Sequence, residues 1–198
     1  MKKAFSLLLF LGFCIQFIAV AQEDVITYKI FDDYKLERGV NIGQLQGLKI
    51  SIFGKVTLIT NFNGSKEKLP LEDVWGFSYK GELFRVFKGL LPAKLVDKGS
   101  LNYYENGIAH LDMLMNNTSN GEFSNGPYCF FSFGIDGEIV SCPKQMHASQ
   151  PYRYFKRYRK KNFSKSEVLD CMESYKFDHY LIRRCVAEYN FSHPEEGS

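Results

Sequence analysis

The densest run of side chains able to do chemistry lies between Lys144 and Lys165. Lys144, Arg153, Lys156, Arg157, Arg159, Lys160, Lys161 and Lys165 fall there, with no acid between Glu138 and Glu167. Tyr152, Tyr154, Phe155, Tyr158 and Phe163 are interleaved with them. Clustered cations neutralise an anionic polymer, and rings between them stack on its flat groups. The binding candidates are therefore Arg153, Lys156, Arg157, Arg159, Lys160 and Lys161, with Tyr154 and Tyr158 as stacking faces. The plainer reading, which we favour, is a solvated helix that Phe155 and Tyr158 anchor to the sheet while the charges keep it soluble.

Catalytic signals are sparse. His110-Leu111-Asp112, read on a strand, would put both polar side chains on one face. Polar residues on the outer face of a strand are common, so the pair is a weak site. Asp178-His179 falls at a helix start, where aspartate serves as a cap. The acidic pairs Asp32-Asp33 and Glu72-Asp73 point to opposite faces of an extended chain and make no acid/base couple. There is no Gly-x-Ser-x-Gly, no His-Glu-x-x-His and no phosphate-cradling glycine loop. No cysteine spacing matches a zinc site. No catalytic residue, metal or cofactor is assigned on these grounds.

The N-terminus supplies an address. Met1-Lys2-Lys3 is basic, Ala4 to Val20 is almost uninterruptedly apolar, and Ala19-Val20-Ala21 has the small residues a signal peptidase requires. Residues 1–21 read as a secretory signal peptide, and no later run is long enough to span a membrane. Lipidation at Cys14 is disfavoured by bulky Phe13 before it. Removal of the signal leaves 177 residues, a one-domain length. Charge is uneven along them. Residues 22–143 hold 12 basic and 15 acidic residues, whereas 144–198 hold 11 and 7. Export and a near-neutral total exclude nucleic acid. They leave an envelope protein, or an anionic glycan or lipid surface, as the partner classes.

Between residues 22 and 143 the pattern is β. Val25–Phe31 reads as a strand, and residues 32–46 carry no assignable pattern. Leu48–Phe53 and Val56–Phe62 flank Gly54-Lys55. Asn63-Gly64 is a strong hairpin turn, since both central positions of a type I′ turn need positive φ. A short strand near Glu67–Leu69 pairs back. Val74–Tyr79 and Leu83–Phe87 flank Lys80-Gly81, with Trp75, Phe77, Phe84 and Phe87 as core and platform residues. Leu101–Glu105 and Ile108–Met115 make a further hairpin around Asn106-Gly107. Tyr128–Phe133 and Glu138–Ser141 close the β part. The expected fold class is mostly β with C-terminal helices (α+β): an antiparallel meander, barrel or sandwich, followed by a helical hairpin.

The stretch Lys68-Leu-Pro-Leu-Glu-Asp-Val-Trp-Gly-Phe77, with Leu83-Phe84-Arg85, Leu101-Asn102-Tyr103 and Phe130-Phe131-Ser132, resembles uncharacterised secreted β-rich proteins of Bacteroidetes-type bacteria. The resemblance spans roughly residues 60–190. It implies bacterial origin and export, and it brings no activity and no catalytic residue.

Residues 144–198 form the basic segment and a helical hairpin packed on the β part. Ser164 and Glu167 have capping-box spacing. Val168, Cys171, Met172 and Tyr175 make one apolar stripe, and Leu181, Ile182, Cys185, Val186 and Tyr189 a second. Four cysteines remain after export, with three possible connectivities. Cys171 and Cys185 lie on facing stripes, and a bond between them is slightly favoured over two buried thiols. Cys129 and Cys142 flank the last hairpin. They sit directly opposite if its loop is Gly134–Gly137, and diagonally if the loop is Asp136-Gly137 alone; only the first favours a bond. The function expected is a non-enzymatic binding or scaffolding protein of the cell envelope. The alternative is an envelope hydrolase whose site is built from loops such as 116–127.

Overall fold

The computed structural model describes residues 24–116, 129–141, 167–174 and 179–194. The elements run β1 (Asp24–Tyr28), α1 (Phe31–Lys35), β2 (Val40–Ile50), β3 (Val56–Phe62) and β4 (Ser65–Pro70). After a 3-10 turn at Leu71–Asp73 come β5 (Gly76–Tyr79), β6 (Glu82–Phe87), β7 (Leu91–Asp97), β8 (Leu101–Asn106) and α2 (Gly107–Asn116). Then follow β9 (Cys129–Phe133), β10 (Val140–Ser141), α3 (Glu167–Ser174) and α4 (His179–Ser192).

All ten strands join one antiparallel sheet in the order β10-β9-β8-β7-β6-β5-β1-β2-β3-β4. The expected meander is present as two meanders, β1–β4 and β5–β10, with the chain returning from β4 to pair β5 with β1. Two short turns hold the hairpins where the sequence placed them: Asn63 and Gly64 have φ 49° and 83°, and Lys80 and Gly81 have φ 51° and 74°. Among the described residues the hydrogen-bonded ladder does not close into a barrel. Instead the sheet rolls, so that Val56 N–H at the start of β3 donates to Leu90 O beside the β6–β7 turn, at 3.0 Å.

The roll defines two faces. On the inner face, Val25, Leu45, Val56, Leu58, Phe77, Tyr79 and Phe84 form one apolar cluster with Leu71 and Leu111. Phe77 and Phe84 stack across the β5–β6 pair at 5.0 Å. The same face continues over β8 and β9. There Leu101, Tyr103, Cys129 and Phe131 pack against Val168 and Met172 of α3 and Ile182, Cys185 and Val186 of α4. On the outer face Ala93, Tyr104, Phe130 and Ile139 form a smaller cluster with Phe87 and Leu95.

The helical stripes behave as their spacing predicted. Val168, Met172, Ile182, Cys185 and Val186 are buried, and Cys171 is bonded to Cys185 with their Cα atoms 5.8 Å apart. Asn190 then docks α4 on the β7–β8 turn: its side-chain amide accepts from Leu101 N–H and donates to Leu101 O, both at 3.0 Å. Cys129 is a buried free thiol within the inner-face cluster. Val140 opposite Phe131 is the register of the four-residue loop, but Cys142 lies outside the described residues. So do residues 1–21, the capping residue Ser164 and Tyr175.

Three expectations need correction. Ile108–Met115 is helix, not strand. Asn106 Oδ1 accepts from Ile108 N–H at 3.1 Å and starts a turn that Ile108, Leu111 and Leu114 continue at helical spacing, so their apolar side chains reach the inner face. Gly107 does not serve a hairpin turn; it lets the backbone pass Pro92, whose O would lie 2.5 Å from a Cβ there. The strand expected over Leu48–Phe53 instead runs Val40–Ile50, and Ile52 and Phe53 stand in the turn. β7, with Pro92 near its start, was not expected at all.

Two stability predictions follow from this geometry. Gly43 sits at φ +82° in a bulge of β2, and a Cβ there would lie 2.2 Å from Asn61 O. Gly47 has open space around it. Gly43→Ala therefore costs about 2 kcal/mol or more in urea unfolding, while Gly47→Ala changes little. Loss of the Cys171–Cys185 bond, which closes a loop of sequence separation 14, lowers stability by about 3 kcal/mol. Unfolding of a Cys171→Ser/Cys185→Ser variant beside the parent measures it.

Candidate functional site

Two assemblies of polar and aromatic side chains stand out, one on each face of the sheet. The first is centred on Glu105, the one buried carboxylate among the described residues. It leaves β8 on the inner face, with a side chain 6% exposed. Arg183 of α4 donates to both carboxylate oxygens, at 2.5 and 2.6 Å, and His110 Nε2 of α2 lies 3.0 Å from Oε2. Burial pushes the carboxyl up, but the hydrogen bonds from His110 and Arg183 and the Arg183 charge overrule it and hold it down at about 2. Such a group is a weak base and gives no proton at neutral pH. Its chemistry is that of a clamp joining β8, α2 and α4.

The second assembly is on the outer face. β1 pairs with β5 so that Ile26 lies opposite Ser78 and Tyr28 opposite Gly76, and Gly76 in turn lies opposite Arg85. Tyr28 OH and Ser78 Oγ share a hydrogen bond at 3.1 Å. A Cβ on Gly76 would come within 2.8 Å of Phe84 O, so glycine here permits the close approach of the β5 and β6 backbones. The Arg85 guanidinium lies 4.1 Å from the centroid of the Trp75 ring. It also donates to the carbonyls of Ile135 and Gly137, pinning the β9–β10 loop over this face.

The one-turn helix α1 completes the assembly. Ile30 N–H donates to Asp33 Oδ2 at 3.3 Å, and Arg38 N–H to Asp33 O at 2.7 Å. Glu37 turns the chain at φ 53°. Phe31 and Tyr34, three residues apart, both reach Trp75 at 5.5 Å, and Tyr34 is stacked on it. Tyr34 also meets Tyr28 edge-on at 5.3 Å. Beside these rings opens a groove of about 460 Å³, lined by Ile26, Tyr28, Tyr34, Lys35, Glu37 and Gly39. Gly39 keeps the β2 strand close to its floor, since a Cβ would fall 2.3 Å from Ile26 Cγ2 and 2.6 Å from Tyr28 Cε1.

The volume falls within the range of small-ligand sites, roughly 300–1,000 Å³. Flat aromatic walls accept the C–H face of a ring, and an exposed cation and anion at the rim, Lys35 and Glu37, can donate to and accept from hydroxyls.

The sequence candidates fare differently. Arg153, Tyr154, Lys156, Arg157, Tyr158, Arg159, Lys160 and Lys161 lie outside the described residues, as do residues 117–127 of the hydrolase loop and Asp178. His110 and Asp112 are not brought together: His110 turns to Glu105, and Asp112 Oδ1 accepts from Asn116 Nδ2 at 2.9 Å. Two residues apart on a strand share a face, but on a helix they point roughly 200° apart. Trp75 is half-buried as the hub of the outer-face rings. Tyr28, Tyr34, Lys35 and Glu37 went unnoticed, although Phe31 and Tyr34 at i and i+3 are the spacing of one helical turn. Among the described residues no group of three histidine, cysteine or acidic side chains could hold a metal ion, and no helix is long and apolar enough to cross a membrane. Comparison with protein-family models, with curated proteins and with solved structures identifies no match.

The Glu105 clamp makes stability depend on acidity. Its folded pKa is depressed below the ordinary 4.5, so its contribution is complete above that value and is lost as pH falls toward 2. Solvent on the Arg183 side weakens the pair, and roughly 3 kcal/mol is an upper figure. Glu105→Gln is therefore less stable than the parent at pH 7, with the gap closing between pH 4.5 and 2. Urea unfolding of both proteins across that range measures it.

Proposed function

We propose that the chain is an exported protein of the bacterial cell envelope that binds its ligand without transforming it. The outer-face groove is its site, and a saccharide segment is the ligand. The observation that carries this reading is the open groove walled by Tyr28 and Tyr34, with Tyr34 braced from behind by Trp75. The ring braced by stacking is held in place before a ligand arrives, which lowers the entropy lost on binding. The other cluster of ionisable groups, around Glu105, is committed to holding elements together.

The export reading rests on the signal pattern of residues 1–21 and is supported by the Cys171–Cys185 bond, a linkage kept by oxidising compartments. In the envelope the candidate ligands are glycan chains, some of them anionic. The basic segment Arg153–Lys161 would add an electrostatic contact to such a chain, or to an envelope protein that carries it.

Trp75 is the only tryptophan in the chain, and it touches the groove wall. Its emission should shift on addition of peptidoglycan fragments or of the polysaccharide portion of lipopolysaccharide. Tyr34→Ala should weaken that binding roughly tenfold, the ratio produced by about 1.4 kcal/mol of lost ring contact. If no envelope saccharide perturbs Trp75, or if Tyr34→Ala binds as well as the parent, the groove is not the site.

A further inference from the structure

At the far end of β2 from the groove, the β2–β3 turn exposes large apolar side chains. Ile52 is 93% exposed, Phe53 80% and Ile50 49%. The inner-face cluster takes Leu45, Leu48, Val56 and Leu58 from this hairpin and none of these three. Ile52 and Phe53, consecutive at the apex of the turn, pack in none of the apolar clusters among the described residues.

The turn is internally bonded. Ser51 N–H donates to Lys55 O at 2.9 Å, Gly54 N–H to Ser51 O at 2.9 Å, and Lys55 N–H to Ser51 Oγ at 3.1 Å. Gly54 takes φ +76° to allow it. The donors of Ser51, Gly54 and Lys55 are thus satisfied without water, while those of Ile52 and Phe53 at the apex are left to solvent, which suits the hydrated headgroup boundary of a bilayer rather than its acyl core.

Charge points the same way. Lys49 and Lys55 are exposed on either side of the apex, and exposed Lys88 lies in the β6–β7 turn that the start of β3 meets. The acids at this end are Glu72, already paired with Lys55, and Asp73. With Lys55 and Glu72 paired, Lys49 and Lys88 outnumber the one remaining acid, Asp73, and this net positive rim below an apolar apex is complementary to a bilayer with anionic headgroups: the side chains enter the acyl boundary while the ammonium groups stay among the phosphates. A folded protein partner fits less well. The apex is only a few residues wide, whereas stable interfaces bury roughly 1,600 Å².

We propose that the β2–β3 turn is a membrane-docking finger that seats Ile52 and Phe53 in the interface of an anionic lipid bilayer. This does not depend on the saccharide reading of the groove.

The test is co-sedimentation of the chain from Gln22 onward, which contains every described residue, with vesicles. One set is phosphatidylglycerol and phosphatidylethanolamine at about 1:3, a composition chosen for its negative surface, and the other is pure phosphatidylcholine. Thermal unfolding is recorded in parallel. The finger predicts binding to the anionic vesicles and a loss of roughly tenfold or more in Ile52→Asp/Phe53→Asp. The unfolding midpoint should not move, because both side chains are in solvent. Lys49→Gln/Lys88→Gln should weaken binding less and flatten its salt dependence. Three outcomes overturn the proposal: no binding by the parent, equal binding by the Ile52→Asp/Phe53→Asp variant, or a parent dimer that the same variant makes monomeric without any vesicle binding. Equal binding would move the contact to the basic segment.

Discussion

One buried carboxylate ties two helices to the sheet. Glu105 leaves the middle of the sheet and takes the full fork of Arg183 from the last helix and the ring of His110 from the helix that follows its own strand. A charge at that depth is tolerated only when it is paired and hydrogen-bonded, and removing one partner of such a pair is far more damaging than never having built it. The clamp therefore sets where α2 and α4 sit. With them come the two inner-face clusters, since Leu111 enters one and Ile182, Cys185 and Val186 enter the other. The disulfide then holds α3 to α4, so the apolar stripe of α3 is placed through a covalent bond as well as by packing.

The outer face is organised by a different cation. Arg85 has no carboxylate within its hydrogen-bond set; it lies over Trp75 and donates to two carbonyls of the β9–β10 loop. An arginine that is partly stacked on a ring and partly bonded to backbone fixes the position of both. Through Trp75 that order passes to Tyr34 and Phe31, and so to a helix of one turn that could not persist alone. The groove is thus a product of the sheet's register, because Tyr28, Gly76 and Arg85 fall in one cross-strand row. A Cβ on Gly76 would press on Phe84 O at 2.8 Å, so glycine keeps the β5 and β6 backbones close enough to hold that row.

β2 links the two functional proposals physically. It begins beside the groove and ends at the exposed turn, and eleven residues of extended chain separate the two ends by roughly 35 Å. A surface held by the turn would therefore lie roughly that distance from the groove.

Much of the fold was legible in local pattern. Alternating side chains, Asn63-Gly64 and Lys80-Gly81 marked strands and their turns, because a positive φ and a two-residue period are properties of single residues and close neighbours. The stripes around Cys171 and Cys185 marked two helices for the same reason. Asn106-Gly107 shows the limit. The same dipeptide serves a hairpin turn or a helix start, and the choice fell to the apolar surface that Ile108, Leu111 and Leu114 could bury against the sheet. Ile52 and Phe53 look like strand residues in sequence, and only the position of the β2–β3 turn leaves them in solvent. Residues 32–46 had no readable period, yet they supply four of the six residues that line the groove, since α1 is stabilised by Trp75 some forty positions away. Neither Glu105 with Arg183 nor Arg85 with Trp75 could be paired by inspection, because one contact spans 78 residues and the other depends on strand register. The sequence by itself determined the antiparallel strands, most of their turns and the helical stripes, all local consequences of backbone preference and hydrophobic period. Tertiary structure alone decided the clamp, the groove and the exposed turn, because each rests on which distant surfaces the rolled sheet brings together and which it leaves uncovered.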